Sequence, residues 1–256
     1  MSPENFISSR LHFKGGIATA GVAVRIENPA WIVRRLDRQR NGADIIAQCR
    51  VVSPFRNYYK ATVRCTLSRD GRVCAKDERL FRGPQFKAQL WLGNAQLWWP
   101  RGAGGQPLYD ARIEVFGENG VTLAENACRV GIRTVALEYD DRKLPERPGR
   151  MLFKVNGEPI YVRGVDWVPL DPIPSEQARH LKDVLPMMAD LNANLVRVWG
   201  GGVYEPDAFF DWCDENGVMV WQDFMTGCSM FPFDPEYQRK TREEAIQVVL
   251  KFRNHP

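Results

Sequence analysis

This chain of 256 residues lacks several signals that mark other classes of protein. Its six cysteines include no C-x-x-C pair, so nothing supports a zinc site or a thioredoxin-like motif, and we expect free, mostly buried thiols. No apolar run is long enough to span a membrane. The first residues also lack a basic segment followed by an apolar core, so the chain as written is expected in the cytoplasm.

A strong charge of one sign is missing as well. The chain has 35 Lys and Arg against 31 Asp and Glu, a formal net charge of +4, and the excess is scattered apart from one basic run at 34–40. Nucleic-acid binding needs a clustered basic surface, so we expect no nucleic-acid partner and no membrane partner. The glycine-rich stretch at 102–105 lacks the following helix and the Lys-Ser/Thr pair of a phosphate-binding loop. We therefore predict a structural loop there, whose tryptophans, Trp98 and Trp99, pack the sandwich or its interface. We predict neither a metal nor a cofactor.

Short runs of alternating apolar and polar residues fill the chain from 21 to 140. In the run that holds Ile113 and Val115, the intervening residues are charged, which is typical of strands with one buried face. The turn signals Asp70-Gly71 and Asn119-Gly120 separate neighbouring runs, since Asn, Asp and Gly tolerate positive φ. About seven short strands in this length predict an immunoglobulin-like β-sandwich. The pattern locates six of them, at 22–26, 45–52, 61–67, 86–92, 108–116 and 129–137.

The rest of the chain consists of a tail before the sandwich and a region after it in which the spacing of apolar residues changes. Residues 1–20 carry no period and are interpreted as a tail or the remnant of a preceding domain. A charged, proline-bearing connection at 140–150 precedes a small hairpin at Asn156-Gly157. Three predicted strands then alternate with helices that begin at Ser175, near Pro206 and at Asp234-Pro235. In the first helix Leu185 is expected on the apolar face and Pro186 is expected to kink or split the helix, while Gly217 is expected to end the second. The order βαβαβα predicts that 141–256 is the incomplete first part, three βα units, of a (β/α)8 TIM barrel.

Charged side chains stand where the three predicted parallel strands end. Arg197 and Asp223, together with Asp166 and Asp171, are expected to pair with one another or with a ligand, because a charge that is removed from water needs a partner. A structural layer of ion pairs is the alternative. Carboxyl ends of parallel strands meet at one mouth, which is where barrel enzymes hold their active sites.

Tryptophans recur at the same three places. Trp167, Trp199 and Trp221 follow or end the three strands, and we interpret them as a flat apolar floor on which a sugar ring stacks. A glycosidase also needs two carboxyl groups at a fixed separation. The remaining acids lie mainly on helices, for example Glu243 and Glu244, and are expected to be solvated. His255 is interpreted as structural.

Several motifs resemble glycoside hydrolase family 2, and within it the β-mannosidase branch. The run Arg-Val-Trp-Gly-Gly-Gly-Val-Tyr-Glu at 197–205 resembles the segment after the second barrel strand, and Trp-Gln-Asp-Phe at 221–224 resembles the one after the third. Further segments match in the same order at 97–100, 108–109, 131–134, 155–157 and 163–169.

The resemblance implies a retaining, exo-acting enzyme that hydrolyses terminal β-D-mannosyl residues, so a β-mannoside or related glycan is the expected partner. It implies no catalytic residue in this chain, because the family's acid/base and nucleophile glutamates lie beyond residue 256. The isolated chain is therefore expected to be an inactive fragment. The implied substrate-binding residues are Arg197, Trp199, Trp167, Asp223 and Trp221. The family also has a jelly-roll domain before the sandwich, so the resemblance implies that residues 1–20 are at most a remnant of that domain.

Three alternatives remain open from the sequence. The first is an exo-β-glucosaminidase or another glycosidase of the same family. The second belongs to a different class, a non-catalytic carbohydrate-binding module that uses the tryptophans. The third is a gene interrupted by a frameshift or a contig end. The sequence carries no signal for the oligomeric state.

Overall fold

The computed structural model describes residues 24–53, 61–81, 83–139, 149, 151–173 and 175–256. The predicted tail at 1–20 and nearly all of the connection at 140–150 lie outside these residues. The two expected domain boundaries, at 20–21 and 140–141, lie outside them too and stay predictions.

Seven strands are described in the first part of the chain, and together they form a two-sheet sandwich. They are β1 (Arg25–Asp37), β2 (Gly42–Val52), β3 (Thr62–Arg69), β4 (Arg72–Leu80), β5 (Gln85–Gly93), β6 (Leu108–Phe116) and β7 (Thr122–Gly131). One sheet has the order β1-β2-β5 and the other the order β4-β3-β6-β7, with antiparallel pairing throughout. Their inner faces share one hydrophobic core.

The period-two pattern explains how β6 is oriented in the sandwich. Tyr109, Ala111, Ile113 and Val115 are buried, whereas the residues between them point outward. A strand places alternate side chains on opposite faces, so one apolar face is enough to fix it against the core. The predicted alternation here is confirmed.

Strand β4 was not predicted, because its sequence lacks this alternation. Ala75 is its only buried residue, and Val73 and Leu80 are exposed. It forms by pairing with β3 through a tight turn in which Asp70 and Gly71 have φ of 51° and 74°. The run predicted at 129–137 proved to be the end of β7 and the start of the next strand.

A small antiparallel sheet follows the sandwich. It contains β8 (Val135–Tyr139), β9 (Met151–Val155) and β10 (Glu158–Ile160) in the order β10-β9-β8. The predicted hairpin at Asn156-Gly157 is present, with both residues at positive φ. Arg38 from the sandwich donates to the carbonyl oxygen of Asn156 at 2.9 Å and to Glu158 at 2.7 Å.

The last part of the chain alternates strands and helices. It contains β11 (Gly164–Trp167), α1 (Leu181–Asp190), β12 (Leu195–Val198), α2 (Asp207–Asn216), β13 (Met219–Gln222) and α3 (Pro235–Phe252). The three strands are parallel and adjacent in the order β11-β12-β13. The predicted alternation is therefore observed, while the (β/α)8 barrel itself stays a prediction. None of the described helices is long and apolar enough to cross a membrane.

The first helix differs from its prediction. It begins at Leu181 rather than Ser175, because a separate 3-10 turn occupies Gln177–Arg179. Pro186 was expected to kink or split it, yet one continuous helix passes through this residue. The apolar side chains that drive its packing, Leu185 among them, are buried as expected.

The other two helices have the predicted end signals. Gly217 ends α2 with φ of 71°, a left-handed conformation that glycine adopts without steric cost. The side chain of Asp234 caps α3 by accepting a hydrogen bond from the backbone N–H of Tyr237 at 2.9 Å.

Direct contacts join the sandwich to the helical part. The buried indole of Trp98 donates to the carbonyl oxygen of Asp214 in α2 at 2.7 Å. The backbone N–H of Arg101 donates to the carbonyl oxygen of Gly217 at 2.7 Å. The predicted packing role of the tryptophan loop is thus confirmed for Trp98.

Candidate functional site

The parallel sheet has two faces of different character. Val165, Val196, Val198 and Val220 pack with helices α1 and α2 in a second hydrophobic cluster. On the opposite face, Asp166, Arg197 and Trp221 occupy the same register position on the three strands. The strand period places all three side chains in one row across the sheet, one residue before the strands end.

Arg197 holds the centre of this row. It donates to Asp223 Oδ2 at 2.8 Å and lies 3.5 Å from Asp166 Oδ1. These contacts raise the pKa of Arg197, the hydrogen bond to Asp223 being the largest cause. The guanidinium is therefore a permanent cation, and it joins the ends of all three strands at the predicted mouth.

The fourth acid of the predicted group lies elsewhere. Asp171 accepts a hydrogen bond from the backbone N–H of Ile173 at 2.8 Å and pairs with His180 Nε2 at 3.1 Å. The backbone contact is the largest cause of its lowered pKa. Asp171 thus orders the loop before α1 and does not join Arg197.

Trp199 packs beneath the glycine loop that follows β12. A Cβ atom on Gly201 would lie 2.5 Å from the Trp199 ring, and one on Gly202 would lie 3.3 Å from its indole nitrogen. The indole Nε1 has no hydrogen-bond partner among the described residues. The close contact with the Trp199 ring thus explains why position 201 is occupied by a glycine.

Gly200 has a different role in the same loop. Its carbonyl oxygen accepts a hydrogen bond from the N–H of Gly227 at 2.8 Å, in the loop after β13. A Cβ atom on Gly200 would lie 2.6 Å from the carbonyl oxygen of Phe224. The loops that follow β12 and β13 can approach this closely because both contacting residues, Gly200 and Gly227, lack side chains.

Trp167 faces the helices instead of the mouth. It is 4% exposed, its ring centroid lies 5.0 Å from that of Phe209, and its indole Nε1 donates to Glu205 Oε1 at 2.8 Å. In the strand register it is paired with Val198, on the side opposite to Arg197. The expected floor of three tryptophans is therefore not formed, because the strand period turns Trp167 away.

Trp221 lies on the open face with Arg197. It is 40% exposed, and its edge meets the ring of Phe153 at a centroid distance of 6.1 Å. The two tryptophans that remain near the mouth thus differ in position, since Trp221 is in the sheet and Trp199 is in the loop beyond it. Their predicted sugar contacts stay predictions.

Glu205 is a buried residue that the sequence did not identify. Its side chain is 1% exposed and accepts hydrogen bonds from Trp167 and Gln177, and burial is the largest cause of its raised pKa. The sequence pattern Glu-Pro-Asp indicated only a helix start. The helix does begin at Asp207, but Glu205 points into the cluster that supports Trp167.

Tyr204 is another residue that the sequence did not single out. Its hydroxyl donates to Glu244 in α3 at 2.7 Å and accepts from the backbone N–H of Met225 at 3.3 Å. Burial is the largest cause of the raised pKa of Tyr204. This side chain fixes α3 and the β13 loop against the glycine loop, and Glu244 is not simply solvated as expected.

The side chains at the carboxyl ends of the three strands offer polar groups and one aromatic ring. Arg197 provides N–H donors, Asp223 provides an acceptor, and Trp199 provides an aromatic surface. Both Asp166 and Asp223 are engaged by the same guanidinium, so they do not form the opposed acid and nucleophile of a glycosidase. Among the described residues, no group of three or more metal-ligating side chains is present.

Comparison with known proteins gives one family match and several similar sequences. Residues 24–133 match the model for "Glycosyl hydrolases family 2". The β-mannosidase of Capra hircus is 39% identical over 166 residues, which are 63% of this chain and 18% of the relative. The β-mannosidase B of Aspergillus niger is 32% identical over 251 residues, 94% of this chain and 29% of the relative.

Solved structures share the fold. The β-D-mannosidase of Dictyoglomus thermophilum superposes with a TM-score of 0.81 and 30% identity, covering 91% of this chain and 28% of that one. The exo-chitosanase of Amycolatopsis orientalis gives a TM-score of 0.72 at 22% identity over 91% of this chain and 28% of that one, a likeness of fold alone. The chain spans less than a third of the length of each of these relatives.

Proposed function

The chain belongs to the glycosyl hydrolases of family 2, and we propose that it forms one wall of the sugar pocket of a retaining, exo-acting, β-mannosidase-like glycosidase. The observation that carries this proposal is the ion-pair row at the mouth, in which Arg197 contacts both Asp223 and Asp166. The 30% identical β-D-mannosidase structure supports the choice of a β-mannoside as the substrate.

Two proposals concern the architecture of this wall. Residues 21–140 form the immunoglobulin-like sandwich, and 141–256 form the first three βα units of a (β/α)8 barrel. The parallel order β11-β12-β13 and the helices between these strands support the barrel. In such a barrel the mouth lies at the carboxyl ends of the strands, where Arg197 and Asp223 stand.

Each residue of the mouth has a distinct proposed role. Arg197 positions a carboxylate nucleophile, because a guanidinium binds a carboxylate through two parallel hydrogen bonds. Asp223 accepts hydrogen bonds from sugar hydroxyl groups. Trp199 and Trp221 contact the apolar face of the sugar, as aromatic rings do when they stack on a flat partner.

Trp167 takes a supporting role in this proposal. Its contact with buried Glu205 and its packing on Phe209 fix the end of β11 from the helix side. It therefore positions Asp166, its neighbour in the same strand, without contacting the sugar itself.

The isolated chain is proposed to be inactive as a hydrolase. Retaining hydrolysis needs a protonated carboxyl group and a nucleophilic carboxylate about 5 Å apart, and the mouth offers no such pair. Incubation of the chain with p-nitrophenyl β-D-mannoside is expected to release no more p-nitrophenol than a matched blank. Turnover above that blank would contradict the assignment of the catalytic pair to residues outside this chain.

A replacement experiment tests the proposed substrate class in a complete enzyme. Residues 24–256 of this chain replace the aligned segment of the Dictyoglomus thermophilum β-mannosidase, and the folded product is assayed on p-nitrophenyl β-D-mannoside. Arg197→Ala is expected to lower kcat/KM about 100-fold or more, the usual effect of removing a preorganised charged group. Arg239→Ala, which removes an exposed ion pair within α3, is the matched control.

Two other readings have weaker support. An exo-β-glucosaminidase is favoured only by the fold of the exo-chitosanase, at 22% identity. A non-catalytic carbohydrate-binding module is favoured by the exposed indole of Trp221. Calorimetric titration of the isolated chain with mannose and manno-oligosaccharides, with Trp199→Ala as the comparison, tests the second reading, and an absence of heat in both proteins would exclude it.

A further inference from the structure

An open groove of about 620 Å³ lies on the sandwich, away from the ion-pair row. It runs between the end of β3 and the loop that joins β5 to β6. We call it the sandwich groove, and its main lining residues are Arg69, Gln96, Leu97, Trp99, Gln106 and Pro107.

The sandwich groove and the mouth lie at opposite ends of the parallel sheet. The groove's loop contacts the helical part through Arg101, which donates to Gly217 O at 2.7 Å and accepts from Arg163 at 3.2 Å. Arg163 comes directly before β11, and Gly217 comes shortly before β13. These are the amino ends of the strands, whereas the ion-pair row is at their carboxyl ends. A ligand in the groove therefore cannot belong to the pocket at the mouth.

The loop that lines the groove is fixed by its own hydrogen bonds. The backbone N–H of Trp99 donates to Gly105 O at 2.9 Å, and Gln106 Nε2 donates to the carbonyl oxygens of Trp99 and Gly104 at 2.9 and 2.8 Å. Gly104 packs directly on the indole, since a Cβ atom there would lie 2.6 Å from the ring. A rigid wall of this kind loses little conformational entropy when a ligand binds.

The lining combines an aromatic ring with a few polar groups. Trp99 is half-buried, and the side chain of Gln96 is exposed beside it. The guanidinium of Arg69 lies 6.0 Å from the centre of the Tyr109 ring and 3.6 Å from the carboxylate of Asp70. Asp70 balances the charge of Arg69, so the groove favours a neutral, hydroxyl-rich ligand over an anion.

We propose that the sandwich groove is a second carbohydrate-binding site, which takes a neutral oligosaccharide on Trp99 with Gln96 and Arg69 as hydrogen-bonding partners. A sugar ring offers both an apolar face and a rim of hydroxyl groups, which match an aromatic side chain flanked by amide and guanidinium groups. The proposal rests on the proposed function only for the choice of a manno-oligosaccharide as the probe.

The test follows tryptophan indole signals by NMR in the whole chain labelled with 15N-tryptophan. Eight tryptophans give eight indole signals, and Trp99→Phe and Trp199→Phe identify the two that matter. β-1,4-Mannotriose is added to about 10 mM, enough to saturate a site with a dissociation constant on the order of 1 mM. The Trp99 signal is expected to shift and saturate.

Variants of exposed groove residues separate binding from folding. The double variant Arg69→Ala with Gln96→Ala is expected to raise the dissociation constant about 10-fold, because two hydrogen-bonding groups are lost. The control Arg72→Ala, an exposed arginine of β4 outside the groove, is expected to leave it unchanged. Retained dispersion of the other indole signals shows that each variant is folded.

Each outcome decides between sites. A Trp99 signal that stays in place at 10 mM ligand, or a double variant that binds as tightly as the parent, would overturn the proposal. A shift of Trp199 alone would also overturn it, while supporting sugar binding at the mouth. A Trp99 shift with inorganic phosphate but not with mannotriose would make the groove an anion site and overturn the carbohydrate assignment.

Discussion

Arg197 and Asp223 join adjacent strands of the parallel sheet through a hydrogen bond of 2.8 Å, at the end where the family resemblance expects the sugar pocket. The guanidinium side chain is 47% exposed and the Asp223 side chain is 22% exposed. A contact this accessible to water contributes little to the stability of the fold. Substitutions at these two residues therefore test a role in binding without unfolding the chain.

Asp223→Asn is expected to change the free energy of unfolding of the isolated chain by less than about 1 kcal/mol, the usual size for an exposed ion pair. The same substitution in the replacement enzyme is expected to lower kcat/KM for the mannoside about 100-fold, because it weakens a preorganised charged contact. Urea denaturation and steady-state kinetics measure the two effects. A large loss of stability with unchanged kinetics would make the pair structural.

Gly201→Ala tests the packing of Trp199 under the glycine loop. The new Cβ atom would lie 2.5 Å from the indole ring, so the ring has to move, at a cost of about 1–3 kcal/mol for overpacking. Gly202→Ala is the matched control, since its nearest contact is 3.3 Å, and a smaller loss is expected. Thermal unfolding measures both, and equal losses would contradict the role given to the ring.

Glu205→Gln tests the buried carboxyl group beside Trp167. Burial raises the pKa of Glu205 above its ordinary value of 4.5, so the folded chain holds this proton more tightly than the unfolded chain does. Stability is therefore present at low pH and is lost as pH rises from about 4.5 through the raised pKa. The urea midpoint measured from pH 4 to 7 should fall less steeply in Glu205→Gln than in the parent.

Two comparisons make the pH experiment specific. Asp214 contributes in the same direction, since burial also raises its pKa, so the slope should be reduced and not abolished. Glu243→Gln, which removes an exposed carboxyl group of α3, is the comparison variant, and the slope should be reduced more by Glu205→Gln than by this substitution. An unchanged slope in Glu205→Gln would show that the buried group does not titrate as argued.

His255→Ala tests the contact between the last residues and α2. His255 Nδ1 lies 2.6 Å from Asp214 Oδ2, and the Asp214 side chain is 7% exposed. Removing the histidine leaves a buried oxygen of Asp214 without its hydrogen-bond partner, which typically costs about 1–3 kcal/mol. His180→Ala, which breaks the exposed contact with Asp171, should cost less than about 1 kcal/mol. Denaturant unfolding of both variants makes the comparison, and similar losses would contradict it.

The sequence predicted those elements whose own residue pattern is enough to determine their structure. The alternation in β6, the turn at Asp70-Gly71 and the glycine that ends α2 each have a local cause, and all three are present. Strand β4 was missed because its pairing with β3, and not its own pattern, makes it a strand. Pairing partners cannot be read from a single segment.

The sequence predicted which residues lie at the strand ends, but not the face of the sheet that each one occupies. The residues at the strand ends were identified, but which face each one takes depends on register, and a shift of one residue reverses it. Register brings Asp166 and Arg197 together and turns Trp167 towards the helices. Glu205 was missed because a glutamate is seldom buried, and the side chains of Trp167 and Gln177 that donate hydrogen bonds to it are distant in the sequence.

The most direct test of the proposed function is the substrate preference of the replacement enzyme that carries residues 24–256. The measurement is the ratio of kcat/KM for p-nitrophenyl β-D-mannoside to that for p-nitrophenyl β-D-glucosaminide. A wall built for a β-mannoside predicts a ratio of about 100 or more, because the equatorial 2-amino group of the glucosaminide replaces the axial 2-hydroxyl group of the mannoside and leaves polar groups of the pocket unpaired. A folded enzyme that prefers the glucosaminide, or treats both substrates alike, would contradict the account.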